Sequence, residues 1–399
     1  MIDPRHLAPT PESVGLDSAL VDALLERAGK EVREGVLPSA QIAIARNGKI
    51  AAMRSFGRVL HHGAEAPATD ATLYCVFSST KAITSAAAWL LIQDGALDVA
   101  ARVADLIPEF GENGKHEVTV EQLFTHTAGF PQAPFVPSQF LDRDKRLERF
   151  ASWRLNWKPG ERFEYHPSSS MYVIAELIER LSGESYGDFV RKQISEPLGL
   201  ADLRVGLPRD LHGRLADCEH IGTALSDEDY RALGLVSPPV TEVTEEAIMA
   251  FNRADFRVAG IPGGGGTMTA ADLALFYQAL LDGGRAAAGR EIWKPETLAM
   301  AREIRSGALR DPVLGKAANR ALGLIIAGDS DRSFRGFGHT NSELAFGHGG
   351  AGGQIGWADP ASGISIGYCT SGHDRNAIRQ ARRGVGISSR AAGCGSKAS

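Results

Sequence analysis

Hydrophobic and polar positions change period repeatedly along the chain. Across residues 17–27, Leu20, Val21, Leu24 and Leu25 recur at helical spacing behind Asp17, which predicts a capped helix. Residues 41–46 and 49–53 are two strand-like runs joined by Asn47-Gly48. Both turn residues tolerate φ > 0, so a hairpin is expected there. The helical period returns over residues 78–94, with Ile83, Ala87, Leu90 and Leu91 on one side and Gly95 as the stop.

Thr119-Val120-Glu121-Gln122 and Thr269-Ala270-Ala271-Asp272 read as capping boxes, the second with Asp in place of Glu. Helices are predicted over 171–181, stopped near Gly183, and over 270–282. Residues 205–260 have little periodicity and read as loop with short helices, a length that suggests cover over a site. Strand patterns resume at 321–327, 354–358 and 364–370, with the turn cluster Asp359-Pro360-Ala361-Ser362-Gly363 before the last. The Arg-rich stretch 375–383 reads as a solvated helix face, and the small, polar residues from Ser388 onward as a frayed tail within 386–399.

Sheet elements at both ends and helices between them predict an α+β unit. A sheet lobe takes about 1–75 and 262–385 and a helical lobe about 76–261. With 399 residues, 43% of them hydrophobic, a sizeable core is available. A formal charge of −5 without long basic runs excludes a nucleic-acid footprint. No apolar run is long enough for a membrane span, and Met1-Ile2-Asp3-Pro4-Arg5-His6 has no apolar h-region, so no secretory signal and no membrane partner are expected. Cys75, Cys218, Cys369 and Cys394 are scattered, which fits a reduced, cytoplasmic setting. The 11 histidines contain no H-E-x-x-H, so neither a metal nor an organic cofactor is expected.

Two serine signatures compete. Gly363-Ile364-Ser365-Ile366-Gly367 matches G-x-S-x-G, but that motif needs a strand-to-helix turn, and here the serine sits in mid-strand. Ser78-Ser79-Thr80-Lys81 is an S-x-x-K at a helix start, with Lys81 one turn on and on the same face as Ser78. One reading makes Ser78 an N-cap and Lys81 an exposed charge. The other makes Ser78 a nucleophile beside its base, at a helix end whose free N–H groups and dipole favour developing negative charge.

Two further segments decide between them. Tyr165-His166-Pro167 precedes a helix, and Phe346-Gly347-His348-Gly349-Gly350-Ala351-Gly352-Gly353 runs into a strand. With His126-Thr127-Ala128-Gly129-Phe130-Pro131, Glu196-Pro197-Leu198-Gly199-Leu200 and the Gly263-Gly264-Gly265-Gly266-Thr267-Met268 stretch, the chain resembles the serine β-lactamase/penicillin-binding-protein superfamily over residues 10–385. The likeness is closest to its family VIII carboxylesterases and related transacylases.

The resemblance implies a β-lactamase/transpeptidase-like fold with the active site in the cleft between the sheet lobe and the helical lobe, and a covalent acyl-enzyme on Ser78. Lys81 would be its partner and Tyr165 a second base. The oxyanion hole would be the backbone N–H groups of Ser78 and Ala351, the latter on a strand edge. His348-Gly349-Gly350 would stand where lactamases carry Lys-Thr-Gly, and would line the substrate site. Pro167 replaces the Asn of Tyr-x-Asn, and neutral His348 replaces the lysine, so the expected substrate is a small neutral ester rather than an anionic amide. A β-lactamase, D-amino-acid peptidase, amide hydrolase or acyltransferase on the same scaffold is the alternative, and the oligomeric state stays open. Trp357 is read either as a wall of the acyl pocket or as sheet packing. His126 is read as a turn residue, the glycines 263–266 as a tight reversal, and His61-His62 as a solvated loop.

Overall fold

The computed structural model describes residues 2–133, 135, 137–237, 242–284 and 291–395. Asp17 accepts the Leu20 N–H at 3.0 Å and caps α1 (Ser18–Arg33). This helix runs six residues past the sequence expectation. Its last buried positions are Ala28, Gly29 and Glu31, which carry little apolar signal, while Leu20 is exposed. β1 (Ser39–Arg46) and β2 (Lys49–His61) form the expected hairpin, with φ of 55° at Asn47 and 71° at Gly48. β2 continues well beyond residue 53 and pairs with β3 (Ala64–Pro67), so His61 ends a strand, with Nδ1 2.9 Å from the Leu215 carbonyl.

After β4 (Tyr74–Cys75) comes α2 (Thr80–Gln93), buried from Thr80 to Leu91 on every side rather than along one face. It packs beside α3 (Ser169–Ser182), which ends at left-handed Gly183 as expected. Residues 205–260 hold short helices, including Asp227–Ala232, Glu245–Met249 and Ala254–Ala259. Two short strands there were not visible as periodicity: β5 (Arg204–Val205) and β6 (Glu219–Ile221). Residues 238–241 of that stretch lie outside the described residues. β5 and β4 flank β7 (Gly266–Met268) in a small antiparallel sheet.

α4 (Ala270–Asp282) follows β7. Thr119 and Gln122 make a reciprocal capping box, but Asp272 returns its carboxylate to the Thr269 hydroxyl rather than to the backbone N–H. Of the run 321–327, only β8 (Ile325–Ile326) is strand, because Gly323 turns the chain with φ of 78°. β9 (Phe346–Gly347), β10 (Ile355–Asp359) and β11 (Ile364–Cys369) complete a seven-stranded antiparallel sheet of order β3-β2-β1-β11-β10-β9-β8. β11 lies at its centre, paired with β1 so that Gln41 stands opposite Cys369 and Arg46 opposite Ile364.

The central strands are buried on both faces. Ile42 and Ile44 join Leu24, Leu25 and Ile387 on one side, while Ala43 and Ala45 join the core under α4 on the other. α4 approaches so closely that a Cβ on Gly367 would stand 2.0 Å from the Ala270 carbonyl oxygen. That contact, not a nucleophile turn, accounts for the second glycine of G-x-S-x-G. Ser365 is buried and donates to the Ala274 carbonyl at 2.7 Å.

β12 (Gly372–Asp374) pairs in parallel with β6, and α5 (Ala377–Ala392) closes the fold. Two sequence expectations fail here. The tail is not frayed from 386 or 388: Ile387, Ser388 and Ala391 are buried, and the Cys394 carbonyl accepts the Asp17 N–H at 3.0 Å. Only residues 396–399 of it lie outside the described residues. Nor is 375–383 a uniformly solvated face, because Arg383 is buried between Glu31 and Asp374. The four cysteines are free and buried, and among the described residues no helix is long and apolar enough to cross a membrane.

Candidate active site

Ser78 sits in a single 3-10 turn, Phe77–Ser79, that runs directly into α2. Phe77 holds left-handed backbone (φ 45°), an unfavourable conformation for a bulky residue, and its buried ring is edge-on to Phe251 at 5.2 Å. The turn is tied down on several sides. Val76 N–H donates to the Gly266 carbonyl at 2.9 Å, Gly266 N–H to Thr80 Oγ1 at 2.8 Å, and Ser79 Oγ to the His348 carbonyl at 2.8 Å. Ser78 alone of the motif's first three residues is partly exposed.

Lys81 is fully buried. Its Nζ donates to the Pro167 carbonyl at 2.6 Å and the Gly263 carbonyl at 2.7 Å, and lies 3.2 Å from Ser78 Oγ. Sequence reasoning missed both carbonyls. Their only signals were a proline after Tyr165-His166 and a glycine run forming the expected reversal, in which Gly264 and Gly265 N–H groups both reach the Ile261 carbonyl.

Tyr165 packs against His126 at 4.7 Å between ring centroids, and Lys81 Nζ lies 5.1 Å from the Tyr165 ring centre. Its loop is held by two histidines acting as acceptors. His126 Nδ1 accepts the His166 N–H, and His166 Nε2 accepts the Phe130 N–H, each at 3.2 Å. An accepting imidazole nitrogen must be unprotonated, and burial enforces this by lowering both rings below the ordinary range, His166 to about 4. His126 is therefore the expected turn residue (φ 59°) and also the support of Tyr165. The Tyr165 hydroxyl makes no hydrogen bond among the described residues, and Tyr165 lines the cleft.

The facing segment leaves β9 at His348, whose N–H donates to the Gly356 carbonyl at 3.0 Å. His348 Nδ1 donates to the Gly349 carbonyl at 2.7 Å, while Nε2 is buried without a partner. Burial first, then the charges of Arg320 and Lys81, hold this ring neutral. Gly350 passes so near the nucleophile turn that a Cβ there would meet the Val76 carbonyl oxygen at 2.1 Å. Ala351 is not on a strand edge. It opens the turn Ala351–Gly353, where left-handed Gly352 and Gly353 (φ 79° and 99°) reverse the chain into β10.

Two cavities meet at Ser78 and Ala351. A cleft of about 600 Å³ is bordered by Tyr165, Arg320, His348, Gly349, Gly350 and Trp357 among others. A mostly apolar pocket of about 160 Å³ is walled by Phe77, Phe135, Tyr172, Phe251 and Phe256, with Glu242, hydrogen-bonded to Ser168 Oγ, also on its lining. The poorly periodic stretch supplies part of this wall through Ala247, Ile248 and Phe251. Trp357 borders the cleft, yet it is packed within the sheet and its indole N–H donates to Ser388 Oγ at 3.0 Å.

Esterase/beta-lactamase LipL of Mycobacterium tuberculosis is 28% identical to this chain over 309 residues, 73% of this chain and 67% of LipL. Others among the curated relatives are matched over 36 to 53% of their own length. A penicillin-binding protein homolog from Caulobacter crescentus superposes with a TM-score of 0.76 at 27% identity, covering 94% of this chain and 99% of that one. A family VIII carboxylesterase superposes with a TM-score of 0.77 at 26% identity and the same coverage. The β-lactamase/transpeptidase-like fold is thus shared, antiparallel sheet and helices alike. Because the Beta-lactamase family model matches residues 19–388, from the first helix of the sheet to the last, the chain belongs to the Beta-lactamase family.

Proposed function

We propose that this protein is a serine hydrolase that cleaves carboxylic esters through an acyl-enzyme on Ser78. The observation that carries the reading is the environment of Lys81. Two of the three directions around Nζ are taken by the Pro167 and Gly263 carbonyls, and the third points at Ser78 Oγ. Once its third proton has been given up, an amine held this way keeps both N–H donors on carbonyls and turns its lone pair to the serine hydroxyl.

Ser78 Oγ then bonds to the ester carbon while its proton passes to Lys81. The oxyanion is received by the backbone N–H groups of Ser78 and Ala351, where one donor is worth about 3 kcal/mol. Tyr165, whose ring lies against Lys81, gives its hydroxyl proton to the leaving alkoxide and regains one from Lys81. Water repeats the sequence on the acyl-enzyme and releases the acid. An amide nitrogen must be held and protonated as it leaves. Here Pro167 offers no side-chain donor and its carbonyl is engaged by Lys81, so esters are favoured. The carboxylesterase neighbour supports the same preference.

Nitrophenyl esters of graded chain length, run beside nitrocefin and a D-alanyl amide, test the reading. kcat/KM for a short ester should exceed that for nitrocefin by about two orders of magnitude, roughly 2.7 kcal/mol in transition-state binding. A fluorophosphonate should label Ser78. Comparable efficiency on ester and lactam would replace the esterase with a β-lactamase, and label on another serine would remove the mechanism.

A further inference from the structure

Of the five buried arginines among the described residues, four hold carboxylates. Arg146 pairs with Glu176 and Glu179, Arg257 with Asp217, Arg335 with Asp329, and Arg383 with Glu31 and Asp374. Arg320 holds none. It is 9% exposed, its Nε is buried without a partner, and its guanidinium makes no ion pair among the described residues. The rings of Phe163 and Tyr165 lie against it, with centroids 5.2 and 5.4 Å from the guanidinium carbon. Aromatic faces offset part of the cost of desolvating a cation, but they supply no hydrogen-bond acceptor and no counter-charge.

The chain is built to keep Arg320 in place. Its N–H donates to Ser306 Oγ at 3.0 Å, and its carbonyl accepts from Arg305 and Ser306 N–H groups at 2.8 and 3.1 Å. The preceding Asn319 sits in left-handed backbone (φ 44°), with Nδ2 donating to Asp329 Oδ2 at 3.1 Å. Arg320 thus has its backbone held on both sides, and its guanidinium, without an ion pair among the described residues, lines the cleft that contains Ser78. The one acid lining that cleft, Asp311, makes no ion pair with Arg320: its Oδ1 accepts the Val313 and Leu314 N–H groups at 2.8 and 3.1 Å, and its charge acts on the guanidinium only through space.

We propose that Arg320 binds a carboxylate carried by the alcohol half of the ester. The inference rests on the ester-hydrolase reading, and the side of the ester follows from Tyr165. That residue lines the large cleft but not the apolar pocket, and it is the residue assigned to protonate the leaving oxygen. Arg320 and Lys81 both lie against the Tyr165 ring, so a group touching Arg320 is a short distance beyond the leaving oxygen. The acyl half takes the aromatic-walled pocket. Loss of the lysine at position 348 pointed towards a neutral substrate; Arg320 returns a cation to the same cleft from another segment. The substrate class is therefore an apolar acyl ester of a hydroxy acid.

The test compares 3-acetoxybenzoate with 3-acetoxybenzamide, which differ in one charge. kcat/KM should favour the benzoate by about tenfold or more, as one charge-assisted hydrogen-bonded pair provides. In Arg320→Gln the ratio should fall to about one, and Arg320→Lys should restore part of it. Binding of 3-hydroxybenzoate against 3-hydroxybenzamide, measured by calorimetry on Ser78→Ala, gives the same comparison without turnover and without altering Arg320. Equal handling of the charged and uncharged members in both measurements overturns the proposal. If neither ester is hydrolysed, the ester reading fails, and the calorimetric comparison alone decides the role of Arg320.

Discussion

Ser79 Oγ donates to the carbonyl of His348 at 2.8 Å, across 269 positions of chain, and this bond fastens the helix bearing the nucleophile to the glycine segment facing it. Both groups are buried, so Ser79→Ala strands a carbonyl at a cost of about 1–3 kcal/mol. The Ser78 and Ala351 N–H groups should then lose alignment, with kcat falling about ten- to a hundredfold. Thermal denaturation and ester kinetics on one preparation check both effects. Unchanged kcat with lowered stability would confine the bond to a structural role.

Lys81→Ala and Tyr165→Phe should each reduce kcat by about two to four orders of magnitude. Because Lys81 Nζ serves Ser78 on one side and lies against Tyr165 on the other, the double variant should be hardly worse than either single one. Strictly multiplicative losses would show two independent proton routes instead of one.

Gly350→Ala tests the close approach of the two segments. The added methyl would meet the Val76 carbonyl oxygen at 2.1 Å, and backbone cannot yield there without separating Ser78 from Ala351. A drop in kcat of about 10² to 10³ is expected, with the far-ultraviolet circular dichroism unchanged. Retention of full activity would mean that Ala351 does not serve the oxyanion.

Acid should weaken the fold early. His126, His166 and His348 are buried and held below the ordinary imidazole range by desolvation. The unfolded chain takes up protons as pH falls through about 6.5 while these folded rings do not. Stability present above that pH is therefore lost on acidification, by up to about 1.4 kcal/mol per pH unit for each histidine. For His166 the loss ends near pH 4. Asp272 acts in the opposite sense: burial raises it to about 6, so the folded form is protonated first and part of the loss below that pH is offset. Urea denaturation from pH 8 to 5 should show the decline, and His166→Gln should make it shallower by one histidine.

Arg383→Ala should cost about 3–5 kcal/mol, since it leaves Glu31 and Asp374 buried with one cation fewer. The neighbouring Arg382→Ala, on the exposed face, should change stability by no more than about 0.5 kcal/mol. Equal effects would return the whole stretch to a solvated surface.

Much of this was legible in the sequence, for identifiable reasons. The Asn47-Gly48 turn, the Thr119 cap and the Gly183 stop are local devices whose geometry follows from a few adjacent residues. Ser78 and Lys81 could be paired because one helical turn separates them. What could not be read depends on partners far along the chain. Arg383 looks like its exposed neighbours until Glu31 is placed beside it, and the Pro167 and Gly263 carbonyls carry no side-chain signal at all. Arg320 escaped notice because its significance lies in the missing carboxylate, which only the packed structure reveals. Ala351 was placed on a strand because glycines that permit a turn also permit an extended edge.

The pairing of β1 with β11 sets the order in which the molecule can be made. A growing chain presents the hairpin of β1 and β2 long before residues 364–369 exist, with one edge of β1 open to any extended segment nearby. The helical segment between can collapse around α2 and α3 meanwhile, but the sheet must wait for contacts that span more than three hundred positions, which makes folding slow and exposes it to misassociation. Segment 348–351 belongs to the late-arriving part. No partly synthesised chain therefore carries a complete site, and chaperone demand should concentrate in the interval between the first hairpin and the final strands.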